Sequence, residues 1–408
     1  MNSKPDFYHV LKDAPPGFAE KKWDAIVIGS GIGGMACAAA LSKVGRKVLV
    51  LEQHYLPGGF THTFSRQGFT WDVGVHCIGE MGETELPGKL LGWLSDDYVE
   101  MVTMGPIYET FHFPEKFDFT FPDNRKEFSL KLKTEFPNEA SAIDRYFDLI
   151  SEVTSQARLY FALRTLPRWT DRFATRCIPA RSKWWSRTTS SVLNSLTTDR
   201  KLQTVLAGQW GYYGSTPKNS SFAIHALTVR HFCDGGYYPA GGSGSIAKGL
   251  LSTVKRAGGQ TIVRASVQEI LFQKNRVYGV KLESGQTIEA PIIISAIGAK
   301  ATVSRLIPNL DSNGPAASSW FREINALGQS PSHICLHLGF QGDIGSAGGT
   351  RSNQWFFENW DTEMGEWNVE DRATEADVLY LSFPSLKDPK HDPGVHQRHT
   401  GEVVTFVP

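Results

Sequence analysis

The stretch Trp23-Asp-Ala-Ile-Val-Ile-Gly-Ser-Gly-Ile-Gly-Gly34, running on to Lys47-Val-Leu-Val-Leu-Glu52, decides the fold of this 408-residue chain. Ala25 to Ile28 is a short apolar run of the kind that suits a strand buried on both faces. Gly29, Gly31 and Gly34 then give the spacing G-x-G-x-x-G. In that spacing the first glycine makes a tight turn, the second lets a pyrophosphate approach the backbone, and the third lets helix and strand pack closely. A helix rich in alanine follows (Ala36, Ala38, Ala39, Ala40) and is expected to stop near Gly45, a natural left-handed cap. Its N-terminus offers unpaired N–H groups and the positive end of the helix dipole to phosphates, from Gly29, Ser30, Gly31, Gly33 and Gly34. Glu52 ends the second strand, 18 residues after Gly34, where an acid accepts the ribose hydroxyls of an adenine dinucleotide. The fingerprint by itself does not separate FAD from NAD or NADP.

Composition narrows the class. Lys and Arg number 42 and Asp and Glu number 42, so no global charge points to nucleic acid. Cys37, Cys77, Cys177, Cys233 and Cys335 form no C-x-x-C pair, which argues against a zinc site or a disulfide framework and suits a reducing compartment. The polar first 22 residues do not resemble a signal peptide, and the longest apolar runs, such as Ile292 to Ile297, are strand-sized. The expectation is an intracellular protein, cytoplasmic or peripheral to a membrane, without a transmembrane helix.

Farther along, Gly58-Gly59 and Gly74 mark places where the backbone turns sharply or comes close to something. From about Met81 to Gly235 the chain changes character. Phe111, Phe113, Phe117, Phe119 and Phe121 alternate as in strands with one buried face, and helical periodicity covers Ala140 to Phe161. A helix is expected at Ser245 to Ala257, then a strand at Thr261 to Val263. A meander follows through Val267–Phe272, Val277–Leu282 and Thr287–Glu289. Ile292 to Ala296 is apolar enough for the middle of a parallel sheet, and His333–Gly339 and Val378–Phe383 read as strands. This is an α/β architecture: a discontinuous FAD/NAD(P)-binding, Rossmann-like domain (23–80 and 236–305) interrupted by a mixed α/β substrate domain (81–235 and 306–408).

The fingerprint, Gly58-Gly59, Asp72-x-Gly74-x-His76, Tyr238-x-x-Gly241-Gly242 and the closing Ser295-Ala-Ile-Gly298 together resemble the phytoene desaturase, carotenoid isomerase and retinol saturase group of flavoproteins, the last most closely. The resemblance covers most of residues 23 to 300. It implies FAD as cofactor, NAD or NADP as electron donor or alternative, and an apolar isoprenoid substrate of which one C=C bond is saturated, in preference to desaturation or isomerisation. It also implies that Gly58 and Gly59 pass near the flavin ring and that Val267 touches adenine through its backbone; an ordinary edge-strand valine is the competing reading. Proteins that escort prenylated GTPases share the architecture without redox chemistry, and the intact glycines and Glu52 argue against that alternative.

His76 and His62 are the ionisable side chains nearest the glycine turns and the candidates for moving a proton; either is equally a histidine hydrogen-bonded within the fold. Asp72 is expected to hold its own loop through local backbone hydrogen bonds. His391, His396 and His399 with Asp392 read as a solvated loop, so no metal site is expected. Arg164, Arg168, Arg172 and Arg176 recur every fourth residue beside Trp169 and Phe173. With Arg181, Lys183, Trp184, Trp185 and Arg187 they make a basic and aromatic segment that suits an anionic membrane surface, or a solvated helix with its aromatics on the core. Members of the resembled family continue with a glycine-rich segment that caps the flavin. None follows Ile297 here, so Glu402 to Pro408 is expected to be an exposed terminal strand, and the chain a truncated one.

Overall fold

The computed structural model describes residues 6–14, 17–18, 20–164, 166, 183–274, 276–307, 315–328, 331–361 and 376–407. Arg168, Arg172, Arg176, Trp169, Phe173, Cys177 and Arg181 lie outside these residues, as do the side chains of Arg164 and Lys183.

Five strands build the first sheet: β1 (His9–Val10), β2 (Ala25–Ile28), β3 (Val48–Leu51), β10 (Gln260–Val263) and β14 (Ile293–Ser295). They lie in the order β1-β10-β3-β2-β14 and every pairing is parallel. Alternation along β2 and β3 sorts their side chains into two cores. Ile26, Ile28, Leu49 and Leu51 face the antiparallel sheet of β11 (Val267–Gln273), β12 (Arg276–Leu282) and β13 (Thr287–Glu289), where Ile270, Val280, Leu282 and Ile288 meet them. Val27, Val48 and Val50 face the helices Ile32–Lys43 and Gly244–Arg256. With both faces covered, these strands read as unbroken apolar runs.

The core on the helix side extends into the stretch that the sequence assigns to the substrate domain. Leu94, from the helix Leu86–Ser95, and Val99 bury there with Met35 and Leu250. One expectation is corrected: β14 is not in the middle of the sheet but at its edge, paired among the described strands only with β2. Its apolar character comes from its faces, since Ile293 packs on one core and Ile294 on the other.

The second large sheet has six strands, β7 (Ile107–Phe113), β8 (Phe117–Pro122), β15 (Ser332–Gln341), β16 (Asn353–Phe357), β17 (Val378–Ser382) and β18 (Arg398–Val407), ordered β15-β18-β17-β16-β7-β8. Its inner face, with the helices Ala140–Arg164 and Phe222–Phe232, encloses the largest core, to which Phe111, Phe113, Phe119 and Phe121 contribute. The expectation of an exposed terminal strand is corrected as well. β18 is hydrogen-bonded to β15 on one side and β17 on the other, so its backbone groups are satisfied inside the sheet. Two short ribbons complete the topology, β4 (Thr63–Arg66) with β5 (Phe69–Asp72) and β6 (Met101–Thr103) with β9 (Tyr237–Pro239).

The glycines of the first turn have unequal duties. A Cβ on Gly34 would lie 2.2 Å from the carbonyl oxygen of Gly29, whereas one on Gly33 would meet nothing within 4 Å. Gly34→Ala is therefore expected to lower stability by about 1–3 kcal/mol through a backbone clash that no rotamer relieves. Gly33→Ala should be neutral or stabilising by up to about 1 kcal/mol, as alanine replaces glycine in a helix. Denaturant unfolding of the two variants checks the contrast; equal effects would contradict it.

Candidate active site

The glycine turn is shaped by the acid at the end of β3. Gly29 takes φ +94°, and its N–H bonds to the carbonyl of Leu51 at 2.8 Å. Glu52 is buried; its Oε2 accepts the N–H and the hydroxyl of Ser30 at 2.9 and 2.6 Å, and its Oε1 accepts the N–H of His54 at 2.8 Å. The Ser30 hydroxyl in turn accepts the N–H of Gly58 at 3.0 Å. One carboxylate thus fixes the loop before the helix and, through Ser30, the next glycine turn. A Cβ on Gly31 or Gly33 would face open space, so the N-terminus of the helix is uncovered and its first-turn amides can reach an anion.

Gly58 and Gly59 take φ +124° and +55°, and a Cβ on Gly59 would come within 2.9 Å of the Cα of Gly31. Backbone meets backbone here, and only glycine permits it. The chain therefore passes from the dinucleotide cradle to Phe60 without a side chain between. His62 is spent on this turn, its Nδ1 lying 2.5 Å from the carbonyl of Gly59. Val267 opens β11 opposite Leu282, two residues after Ala265, whose N–H bonds to the carbonyl of Glu52 at 2.8 Å.

Beyond Phe60 lies a cleft of about 270 Å³. The glycine-turn side supplies Phe60, Val73, Gly74 and His76 as its walls, and the six-stranded sheet supplies Cys335, Trp355, Tyr380, Val404 and Phe406. Strand register explains the apolar wall. Cys335 pairs with Val404, Val404 with Tyr380, Tyr380 with Trp355 and Trp355 with Phe111, one row across five strands on the inner face.

The adjacent row of the same face is polar. His337 pairs with Glu402, Glu402 with Ser382, and Asn353 with Glu109. Lys387, just after β17, closes the gap: its ammonium donates to Ser382 Oγ at 2.6 Å, to Asn353 Oδ1 and to the backbone carbonyl of His76 at 2.9 Å. Glu109 accepts from Tyr212 Oη and Trp355 Nε1, both at 2.5 Å, and from Gln209 Nε2 at 3.2 Å. Burial pushes the Glu109 carboxyl up to about 7 against these bonds, and burial pulls Lys387 down to about 8 despite the carboxylates around it.

Asp72 lies beside this row and is 2% exposed. Its partners are distant in sequence, not local as expected: Tyr238 Oη, the N–H of Ser243 at 2.9 Å and Ser243 Oγ at 2.6 Å. It pins the glycine-turn ribbon to the start of the helix Gly244–Arg256. Burial, then the charge of Glu402, raises its carboxyl above the usual range.

Of the two histidine candidates, only His76 lines the cleft. Trp184 is a core residue, as in the second of the two readings of its segment, and its indole N–H is bonded to Glu152 at 3.1 Å. His391 lies on the carbonyl of Arg398 at 2.8 Å, and among the described residues no group of three His, Cys, Asp or Glu is placed to hold a metal. No described helix is long and apolar enough to cross a membrane. The sequence reading missed Glu109, Glu402, Lys387 and Asn353. A signal existed for the first two: Glu109 is in phase with Phe111 and Phe113, and Glu402 with Val404 and Phe406, so both occupy inward positions of strands.

The family model for an NAD(P)-binding Rossmann-like domain matches residues 27–86. An all-trans-retinol 13,14-reductase of Danio rerio is 34% identical over 94% of this chain and 66% of its own length. A Danio rerio relative described as an inactive all-trans-retinol 13,14-reductase is 32% identical over 90% and 63%. A chloroplastic prolycopene isomerase of an Oncidium hybrid is 26% identical over 92% and 63%. The chain thus spans a little under two thirds of the length of these relatives. Among solved structures, a protein from Pyrococcus furiosus superposes with a TM-score of 0.63 at 17% identity, over 94% of this chain and 79% of the other, which shows a shared fold.

Glu109 gives the site a pH signature. Its folded pKa, about 7, lies above its ordinary 4.5, so the fold favours the neutral acid. That contribution is complete below about 4.5 and is lost as pH rises through about 7. Across this window the unmodified protein should lose on the order of 3 kcal/mol of stability relative to Glu109→Gln, which keeps a neutral acceptor. Chemical denaturation of both proteins on either side of the window checks it; parallel pH profiles would contradict it.

Proposed function

The chain belongs to the family of the all-trans-retinol 13,14-reductases, and from that premise we propose that it is a flavin-dependent oxidoreductase acting on a C=C bond of a retinoid- or carotenoid-like polyene, by saturation. The observation that carries this reading is the contact of Gly59 with Gly31, which joins a dinucleotide cradle to an apolar cleft with only backbone between them. A bound flavin supplies hydride transfer; the residues here would hold it, exclude water and align the polyene. Gly29, Ser30, Gly31, Gly33 and Gly34 would take the pyrophosphate of FAD, Glu52 the adenosine ribose and Val267 the adenine. Gly58 and Gly59 would bring backbone amides toward the ring. The wall of Trp355, Tyr380, Val404 and Phe406 suits a flat, conjugated, apolar chain.

The decisive assay uses the chain reconstituted with FAD, reduced anaerobically by dithionite and given all-trans-retinol. The expected product is heavier by two hydrogens, with reoxidation of the flavin. Unchanged retinol above a flavin that stays reduced would overturn the reading; an isomer of unchanged mass would move it toward the prolycopene isomerases.

Glu52→Ala tests the cradle. It removes an acceptor of the ribose hydroxyls and also frees Ser30 and the Gly58 turn. FAD affinity should fall by on the order of 1.5–3 kcal/mol. A variant that binds FAD as tightly as the unmodified chain in a fluorescence titration would remove Glu52 from the site.

A further inference from the structure

Glu402 and His76 form a pair that none of the assigned roles uses. The ring of His76 borders the cleft with its Nδ1 2.8 Å from Oε2 of Glu402, off the line of an ideal hydrogen bond. The Glu402 carboxylate is fully buried, and neither of its oxygens accepts an aligned hydrogen bond from any described residue. Leaving a carboxylate in that state is unfavourable unless a cationic or proton-bearing group completes it. Two imidazoles face it, His76 and, at 3.9 Å from Oε1, His337. The main chain of His76 is held by Lys387, which donates to its carbonyl at 2.9 Å, and its ring lies 5.2 Å from that of Tyr380. With Nδ1 turned to Glu402, Nε2 is the nitrogen left to the cleft.

We infer that Glu402 is the positioning residue for His76, and that His76 delivers the proton that completes saturation of the double bond. This rests on the reading given under Proposed function. The alkene is reduced and a reduced flavin is the two-electron reductant. When one carbon of the double bond has gained a hydride, the π pair is left on its neighbour. The N–H bond of His76 breaks, a C–H bond forms at that neighbour, and the ring is reprotonated from solvent through the cleft. Glu402 stays a carboxylate throughout and keeps the ring oriented, the arrangement in which an acid or base is itself fixed by a third group. The titratable groups around the pair are His337 and Cys335 of β15, Tyr380 of β17, Lys387 and, from β5, Asp72.

Three measurements on the 408-residue, FAD-loaded chain test the inference. Carbethoxylation of His76 by diethyl pyrocarbonate, followed by peptide mass analysis, should become severalfold faster in Glu402→Gln, because the ring loses its partner. In retinol reduction, the same variant should lose ~100-fold or more in kcat with little change in KM, and the acid limb of its pH profile should move. Its flavin spectrum should be unchanged, which separates failure of this inference from failure of flavin binding. Unaltered labelling with an intact spectrum would overturn it, even if no turnover is detected in either protein. Should Glu402→Gln not fold, His76→Gln decides: a folded variant with an unchanged flavin spectrum that loses retinol reduction supports the inference, and one that reduces retinol at the unmodified rate would overturn it.

Discussion

An ammonium buried against three separate elements is the constraint on which this structure turns. Lys387 is 1% exposed, and a charge so placed is tolerated only with close acceptors. Those acceptors come from β17 (Ser382), β16 (Asn353) and the loop after β5 (the carbonyl of His76), so satisfying one charge docks the glycine-turn side of the cleft onto the six-stranded sheet. Asp72 makes a second such tie, from the end of β5 to Tyr238 and Ser243 at the head of the helix Gly244–Arg256. Removing one partner of a buried set like this is costlier than the set is stabilising, since it strands the others. The net effect is geometric: both walls of the cleft are held in fixed relation.

That fixed relation gives the polar and apolar rows their meaning. Strand register places the two rows side by side, so the apolar wall formed by Val404, Tyr380 and Trp355 is flanked, two residues along the strands on the same face, by Glu402, Ser382, Asn353 and Glu109. An apolar substrate would rest on the first row, while ionisable groups next to it stay out of bulk water, the Glu109 carboxyl pushed up and the Lys387 ammonium pulled down by burial. The glycine contact between residues 31 and 59 brings the dinucleotide cradle to the opposite wall. The proposed redox chemistry on an apolar chain would use an apolar cleft, a cofactor at its wall and a proton within reach.

Much of this was legible in the sequence because it rests on local rules. The run from Ala25 to Glu52 carries its own strand, turn and helix signals, and the alternating phenylalanines of β7 and β8 point inward as alternation demands. What escaped was set by tertiary placement. Whether β14 sits at an edge and whether β18 is flanked depend on partners remote in sequence, and an apolar run is equally compatible with either position. Asp72 has the composition of a turn former, yet its acceptors serve residues 238 and 243. Lys387 follows a proline-serine-leucine turn with no periodicity to mark it as buried. Glu109 and Glu402 were in plain view as acids in the inward phase of otherwise apolar strands, a pattern worth reading as a buried functional group.

In the proposed function, cofactor and apolar ligand meet at one cleft. Titrating the FAD-reconstituted, oxidised protein with all-trans-retinol, while following the visible flavin bands, tests it directly. A saturable one-to-one perturbation of those bands is expected, as the polyene displaces water beside the ring. Retinol that binds without disturbing the flavin spectrum, or that does not bind at all to a protein carrying its full complement of FAD, would contradict it.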